Sequence, residues 1–424
     1  MKICVFGLWH LGTVTAACLA SLGYDVSGLD FDDSVVSNLT RGKAPLFEPG
    51  LDKLVLNSIN KGCLSFSTDA GASLHDVDLV WVTFDTPVDE NDVADTEYVF
   101  QQIQEILPYI PNDVLVLISS QLPVGSIKRL ENLSQQICRS KNHRFACCPE
   151  NLRLGQAIEV FLNPDRMVVG IRDEVDKCLL DEIFAPLSQN LIWMSVESAE
   201  MVKHALNGFL ATSIAFANEV ATICESVGAD AHDVANALKY DVRIGHRAYI
   251  APGLAFAGGT LARDINFLSN MKSADGTPST LFQAVNSSNN EHKNWIKRQL
   301  ALQFTVLKDV KVMVWGLAYK PGTDTLRRSL SVELCQWLFD QDCFVYIHDP
   351  EIRKLPAEWN KLQFEFVDDP IKPLSEVDVL ILGTQWPEYL NIEFKTDYVK
   401  QGLVVLDPGR FLGDSKLGSL IKYI

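Results

Sequence analysis

Two groups of residues in this sequence carry chemistry in their type and spacing. The first follows the apolar run 2–6 and reads Gly7-Leu8-Trp9-His10-Leu11-Gly12. Glycines at the first and sixth positions, between a strand and a helix, suit a turn whose amides hold a dinucleotide pyrophosphate. At the third position that pattern has a glycine so that the pyrophosphate can approach the backbone; here an indole, Trp9, stands in the path. Asp30, just past the second apolar run, is placed for a ribose 2′-hydroxyl and favours NAD over NADP. A Rossmann-like domain that holds no dinucleotide is the competing reading. The second group is Lys203 and Asn207, four apart in a long helical stretch and therefore on one face. Ala211, Ile214 and Asn218 continue that stripe, whose polar members need partners if they are buried. An ammonium and an amide there can donate to an oxygen that gains negative charge, although such pairs also occur on solvated helix faces.

The elements that position these groups show in the apolar periodicity. Strands are predicted at 2–6, 24–29, 78–84, 114–118, 144–148 and 167–170. Short strands separated by helical patterns predict a parallel, doubly wound sheet. Residues 196–227, without proline, predict one long helix. Its apolar residues, among them Met201, Leu206, Phe209, Leu210, Ile214 and Phe216, cover more than one face, which predicts a homodimer interface. A looser stretch from 228 to about 290 holds the Pro252-Gly253 turn and the glycines 258–259. The βαβ rhythm then returns, with strands at 310–315, 343–347, 377–382 and 403–406 and a helix at 329–340. The expected fold class is α/β: two Rossmann-like doubly wound domains joined by a long central helix and a helical middle domain. The expected boundaries are 1–195, 196–305 and 306–424. Ligands of such sheets sit at the carboxyl ends of the strands, which puts an active site in the cleft between the domains.

Composition narrows the partners. A length of 424 residues suits about three domains, and 47% hydrophobic residues suffice for large cores. The net charge of −17 repels nucleic acid and anionic membranes but leaves room for a local basic pocket for a phosphorylated ligand. Met1 leads directly into an apolar strand rather than a signal peptide, and no run of 18 apolar residues occurs, so a cytoplasmic protein is expected. Ten cysteines without CxxC or metal-ligand spacing, Cys147-Cys148 adjacent in a buried strand, read as reduced core thiols.

Further segments resemble one family, the UDP-glucose and GDP-mannose 6-dehydrogenases. They are Pro45-Leu46-Phe47-Glu48-Pro49-Gly50-Leu51, Thr83-Phe84-Asp85-Thr86-Pro87 and Cys148-Pro149-Glu150-Asn151-Leu152-Arg153. Glu200, Lys203, Asn207 and Asn218-Glu219 match on the long helix, followed by Arg247, Tyr249 and Pro252-Gly253. Lys320 to Ser329 and Thr384-Gln385-Trp386 match in the last domain. The resemblance runs through essentially the whole chain in order. It implies NAD as cofactor, a nucleotide-sugar substrate oxidised twice at carbon 6, and a homodimer in which Arg247 reaches the partner's ligand. It also implies that Lys203, Asn207 and Asp264 serve alcohol oxidation, that Glu150 acts on water, and that Thr86 joins Gly7, Trp9, Leu11, Gly12 and Asp30 at the cofactor. Phe256, Gly258, Lys320, Arg327 and Arg410 would hold the nucleotide sugar. Glu150 and Asp264 also have plainer readings, as a helix cap and as a helix start.

Three departures cluster. The family's loop, close to PGxxFGGSCxPKD, reads here Pro252 to Asp264 with Thr260 at the cysteine. The second glutamate of its PEFLRE motif is Leu154, and the threonine of its STVPV segment is Gln121. A thiol is partly thiolate near neutral pH, whereas a threonine hydroxyl needs a dedicated base; His204, next to Lys203, is expected to point away from it. All three losses fall on thioester formation or its hydrolysis. The readings are therefore a single two-electron oxidation, a non-catalytic nucleotide-sugar-binding protein, or a four-electron enzyme working through an aldehyde hydrate.

Overall fold

The structure is a computed structural model that describes residues 1–424 apart from 88, 90–93, 258–259, 272–274, 353–358, 360–363, 393–398, 414–421 and 424. Two compact units divide it, Met1–Leu206 and Asn207–Ile424. The first is built on eight strands: β1 (Lys2–Phe6), β2 (Asp25–Leu29), β3 (Leu64–Ser67), β4 (Leu79–Val82), β5 (Leu115–Ile118), β6 (Arg144–Cys147), β7 (Met167–Ile171) and β8 (Leu191–Ser195). They lie in the order β3-β2-β1-β4-β5-β6-β7-β8. β4 and β5 are unbroken apolar runs, Leu-Val-Trp-Val and Leu-Val-Leu-Ile, buried at every residue. That pattern belongs to a central strand covered on both faces. The covering helices are α1 (His10–Ser21), α2 (Asp33–Thr40), α3 (Leu51–Asn60), α4 (Ala70–Leu74), α5 (Thr96–Ile106), α6 (Ser126–Ile137), α7 (Ala157–Leu162) and α8 (Glu174–Phe184). One core lies on each side of the sheet.

The helix α9 (Val196–Val227) follows, its residues as far as Leu206 counting with the first unit and the rest with the second. In the second unit come α10 (Ala231–Tyr240), α11 (Leu261–Asn270), α12 (Thr280–His292) and α13 (Trp295–Gln303). Its sheet contains β9 (Lys311–Trp315), β10 (Phe344–His348), β11 (Phe364–Phe366), β12 (Val379–Leu382), β13 (Val404–Leu406) and β14 (Lys422–Tyr423). They run β11-β10-β9-β12-β13-β14, all parallel, with α14 (Leu330–Asp340) between β9 and β10. The α/β class with two Rossmann-type sheets and a central helix is thus established.

Two expectations need correction. The first sheet is not wholly parallel, because β7 meets β6 antiparallel. The edge strands β3, β8, β11 and β14 were not anticipated: they are short, and β8 has no fully buried residue, so the apolar signal is weak. The stretch 228–290 carries α10, α11 and α12, in keeping with a helical middle domain, while residues 241–257 between them are non-helical. α12 is rich in Asn and Ser and lacks a broad apolar stripe; tertiary burial of Val285, Asn289 and His292 holds it in place.

Candidate functional site

The turn after β1 leaves no room for a side chain at its first and last residues, Gly7 and Gly12. Gly7 has a φ of +95°, and a Cβ there would lie 2.8 Å from the Phe84 ring. A Cβ on Gly12 would collide with the carbonyl oxygen of Gly7. Asp30 accepts the Leu8 amide at 2.7 Å through one oxygen and the Asp32 amide at 3.0 Å through the other. Thr83 donates its hydroxyl to the Gly7 carbonyl at 2.8 Å. The turn therefore runs straight into the N-terminus of α1, where free amides suit an anion. Trp9 holds the capping position of α1 and is 47% exposed, while Leu11 is buried in its first turn. The Thr86 hydroxyl donates to the Gln121 carbonyl at 2.6 Å, so it braces the loop after β5.

The α9 stripe meets the burial condition stated above, because each polar member has a partner. Lys203 pairs with the Glu150 carboxylate at 3.0 Å and donates to the Glu150 carbonyl at 3.0 Å. Glu150 also accepts the Leu152 amide at 2.9 Å. Asn207 donates to the buried Asp264 carboxylate, in the first turn of α11. Asn218 accepts the Gly253 amide at 2.9 Å and donates to Leu254 at 3.4 Å. Glu200 caps α6 by accepting the amides of Gly125 at 2.7 Å and Ile127 at 2.9 Å. Burial nevertheless raises its carboxyl above the ordinary value, against those two bonds. His204 turns to the Leu122 carbonyl at 3.0 Å. Cys147 lines a small cavity with Lys203, Glu150 and His204, but burial, with Cys148 and Glu200, pushes its thiol well above the usual range. Burial likewise pushes the Cys148 thiol up to about 12. Neither is a substitute nucleophile.

In the second unit the loop before α11 is clamped from behind. Asn289 accepts the Phe256 amide and donates to its carbonyl, both at 2.9 Å, and His292 meets the Gly253 carbonyl at 2.8 Å. These two residues escaped the sequence reading; the one sign was paired asparagines in a polar helix. In front of the loop is a cleft of about 710 Å³. Thr260 is exposed there, at the N-terminus of α11, and makes no capping bond with its side chain. Lys320, Lys239, Tyr249 and Tyr319 line the cleft; among the described lining residues there is no cysteine, histidine or carboxylate. Phe256 is a buried part of its wall, and Gly258 lies outside the described residues. Arg247 and Arg327 are exposed and do not appear in its wall. Arg410 pairs with Asp230 at 2.7 Å beside a smaller cavity, and of that segment Gly409 reaches the cleft.

Comparison with known proteins agrees with this layout. The UDP-glucose/GDP-mannose dehydrogenase family matches three times: its NAD binding domain over residues 1–188, its central domain over 197–291 and its UDP binding domain over 313–413. The chain is 31% identical over 412 residues to the UDP-glucose 6-dehydrogenase of Rickettsia bellii, covering 96% of this chain and 94% of that one. It is 32% identical over 404 residues to the Rhizobium meliloti enzyme, covering 93% and 91%. The solved structure of a UDP-glucose dehydrogenase from Pyrobaculum islandicum superposes with a TM-score of 0.86 at 29% identity, covering 99% of this chain and 96% of that one. NAD is thus the cofactor that the first domain serves, and the chain belongs to the UDP-glucose/GDP-mannose dehydrogenase family.

Proposed function

We propose that this chain is an NAD-dependent dehydrogenase that oxidises one CH–OH group of a UDP- or GDP-hexose and stops at the carbonyl. The observation that carries this reading is the chemistry of the cleft wall: lysines and tyrosines suited to a diphosphate, Thr260 in the cysteine's position, and no described cysteine, histidine or carboxylate. NAD, when bound, accepts the hydride. The chain must take the hydroxyl proton and stabilise the alkoxide. Glu150 is the base towards a water through which that proton leaves, and Lys203 and Asn207 are the donors. Asp264 holds the Asn207 amide, and Lys320, Arg327, Arg410 and Phe256 serve the nucleotide sugar. The domain boundaries 1–195, 196–305 and 306–424 divide these tasks, and the ten free thiols fit a cytoplasmic protein. Among the described residues no helix is long and apolar enough to cross a membrane.

The test is stoichiometry under exhaustive conversion with an aldehyde scavenger. One NADH per sugar and a carbonyl product by mass are expected, and Thr260→Cys still gives little acid because Gln121 and Leu154 are unchanged. Two NADH and a uronic acid from the wild type would overturn the reading. A second reading, a nucleotide-sugar-binding protein without turnover, is favoured by one observation, the half-exposed indole of Trp9 in the cofactor's path. Calorimetry with NAD separates the two, since absence of NAD binding by the wild type selects the second.

The chain is also read as a homodimer. Phe209, Phe216 and Ile223 are 68%, 49% and 61% exposed at seven-residue spacing on α9, an apolar stripe of the kind that a second copy covers. Arg247 then reaches the partner's ligand. A stable monomer by sedimentation at micromolar concentration removes both statements.

A further inference from the structure

The Glu48 carboxylate, 4% exposed, is the meeting point of three segments that lie far apart in sequence. It comes from the loop before α3. One oxygen accepts the Ala157 amide at 2.8 Å; the other accepts the Gly155 amide at 2.9 Å and lies 3.0 Å from Nε2 of His10. A buried carboxylate keeps its partners because an unmade bond costs the full desolvation of the group. Two of the three partners are backbone amides, so disturbing the third moves the chain and not only a side chain. From Gly155 and Ala157 the path continues along the backbone and through three further contacts. The Gln156 amide donates to the Arg153 carbonyl at 2.9 Å, the Leu152 amide to Glu150 at 2.9 Å, and Glu150 holds Lys203 at 3.0 Å. At the other end His10 is the first residue of α1, where the pyrophosphate of a dinucleotide is received.

We propose that His10 and Glu48 are a positioning pair: NAD docked at the N-terminus of α1 fixes the imidazole, and the imidazole, through Glu48, fixes the segment 150–157 that sets Glu150 against Lys203. A phenyl ring in place of the imidazole would fill similar space without the bond, so the pair adds direction to what packing alone provides. The inference rests on the role given above to Glu150 and on NAD binding at this turn.

The experiment is hydrogen exchange of the full-length protein with and without NAD, beside calorimetry, for the wild type, His10→Phe and His10→Gln. In the wild type, NAD slows exchange over 148–157. In His10→Phe, NAD still binds but this protection is lost, and turnover falls about 10–100-fold, by analogy with the loss of groups that orient metal ligands. His10→Gln, whose amide can still donate to Glu48, restores the protection. A merely structural role would speed exchange equally with and without NAD. NAD-dependent protection that survives in His10→Phe, or is absent in His10→Gln, overturns this pair alone, and His10→Gln decides by itself if the phenylalanine variant does not fold. Failure of the wild type to bind NAD overturns the dehydrogenase reading and this inference with it.

Discussion

The first turns of the two sheets begin alike, Gly7-Leu8-Trp9 after β1 and Gly316-Leu317-Ala318 after β9. Both glycines have positive φ, +95° and +90°, and both donate to the end of the neighbouring strand, at 3.0 Å to Leu29 and 2.8 Å to His348. Each turn then meets an aspartate. Asp30 takes the Leu8 amide and one amide of its own loop and remains half-buried. Asp349 is fully buried and takes five donors: the amides of Leu317, Ala318, Glu351 and Ile352, and the Trp386 indole. After Gly7 a helix starts at residue 10, whereas after Gly316 the chain runs to Ser329, carrying Lys320 and Arg327, before α14 starts. One turn keeps a carboxylate and a helix end available to a ligand. The other commits its carboxylate to the scaffold, and the loop proposed above to meet the nucleotide sugar follows it. Shared topology therefore does not mean a shared binding mode.

Substituting both carboxylates tests that contrast most strongly. Asp349→Asn turns an amide donor toward five donors and is expected to cost about 3 kcal/mol or more in urea unfolding, given the price of unmet buried bonds. Asp30→Asn is expected to leave unfolding within about 1 kcal/mol while weakening NAD at least about tenfold by calorimetry. Equal losses of stability would show that the two aspartates do the same work.

The third residue of each turn gives a smaller effect. Ala318 shows that the geometry needs no large side chain there. Trp9→Gly is expected to tighten NAD by about tenfold, near 1.4 kcal/mol, with the fold unchanged. Unchanged or weaker binding would mean that the indole lies along the cofactor instead of in its way.

The smallest effect is a shared response to acid. Burial, aided by Lys141, lowers His143 in the first unit, and burial, aided by Arg298, lowers His292 in the second. Below about pH 6.5 the unfolded chain takes up these protons more readily than the fold does. The stability they provide is complete above that pH and declines as pH falls. His292→Gln, which can keep a donor toward Gly253, is expected to flatten part of the decline between pH 7 and 5 in urea midpoints; an unaltered slope would remove His292 from the account.

Periodicity reveals elements far better than it reveals contacts. β4, β5 and the long α9 were legible because their apolar residues repeat at 2 or 3.6 or run unbroken. α12 was not, since Asn289 and His292 earn their place through bonds to a loop more than 30 residues away. Lys203 and Asn207 could be paired with each other by spacing, but the acids that hold them, Glu150 and Asp264, were known only through family motifs. Glu48 is the extreme case. Its motif was visible, but its partners lie 38, 107 and 109 residues away, and no local signal encodes such a meeting.

The cleft in the second unit has a kinetic consequence. Its lysines sit within a chain of net charge −17. On the function proposed above, the nucleotide sugar, itself anionic, approaches this cleft through that repelling field before it feels the local attraction. Added salt screens the distant charges first, since the Debye length shrinks to about 10 Å at 0.1 M. Capture should therefore speed up as dilute salt is added and slow again only when the contacts inside the cleft are screened, the reverse of the usual order for a basic ligand pocket.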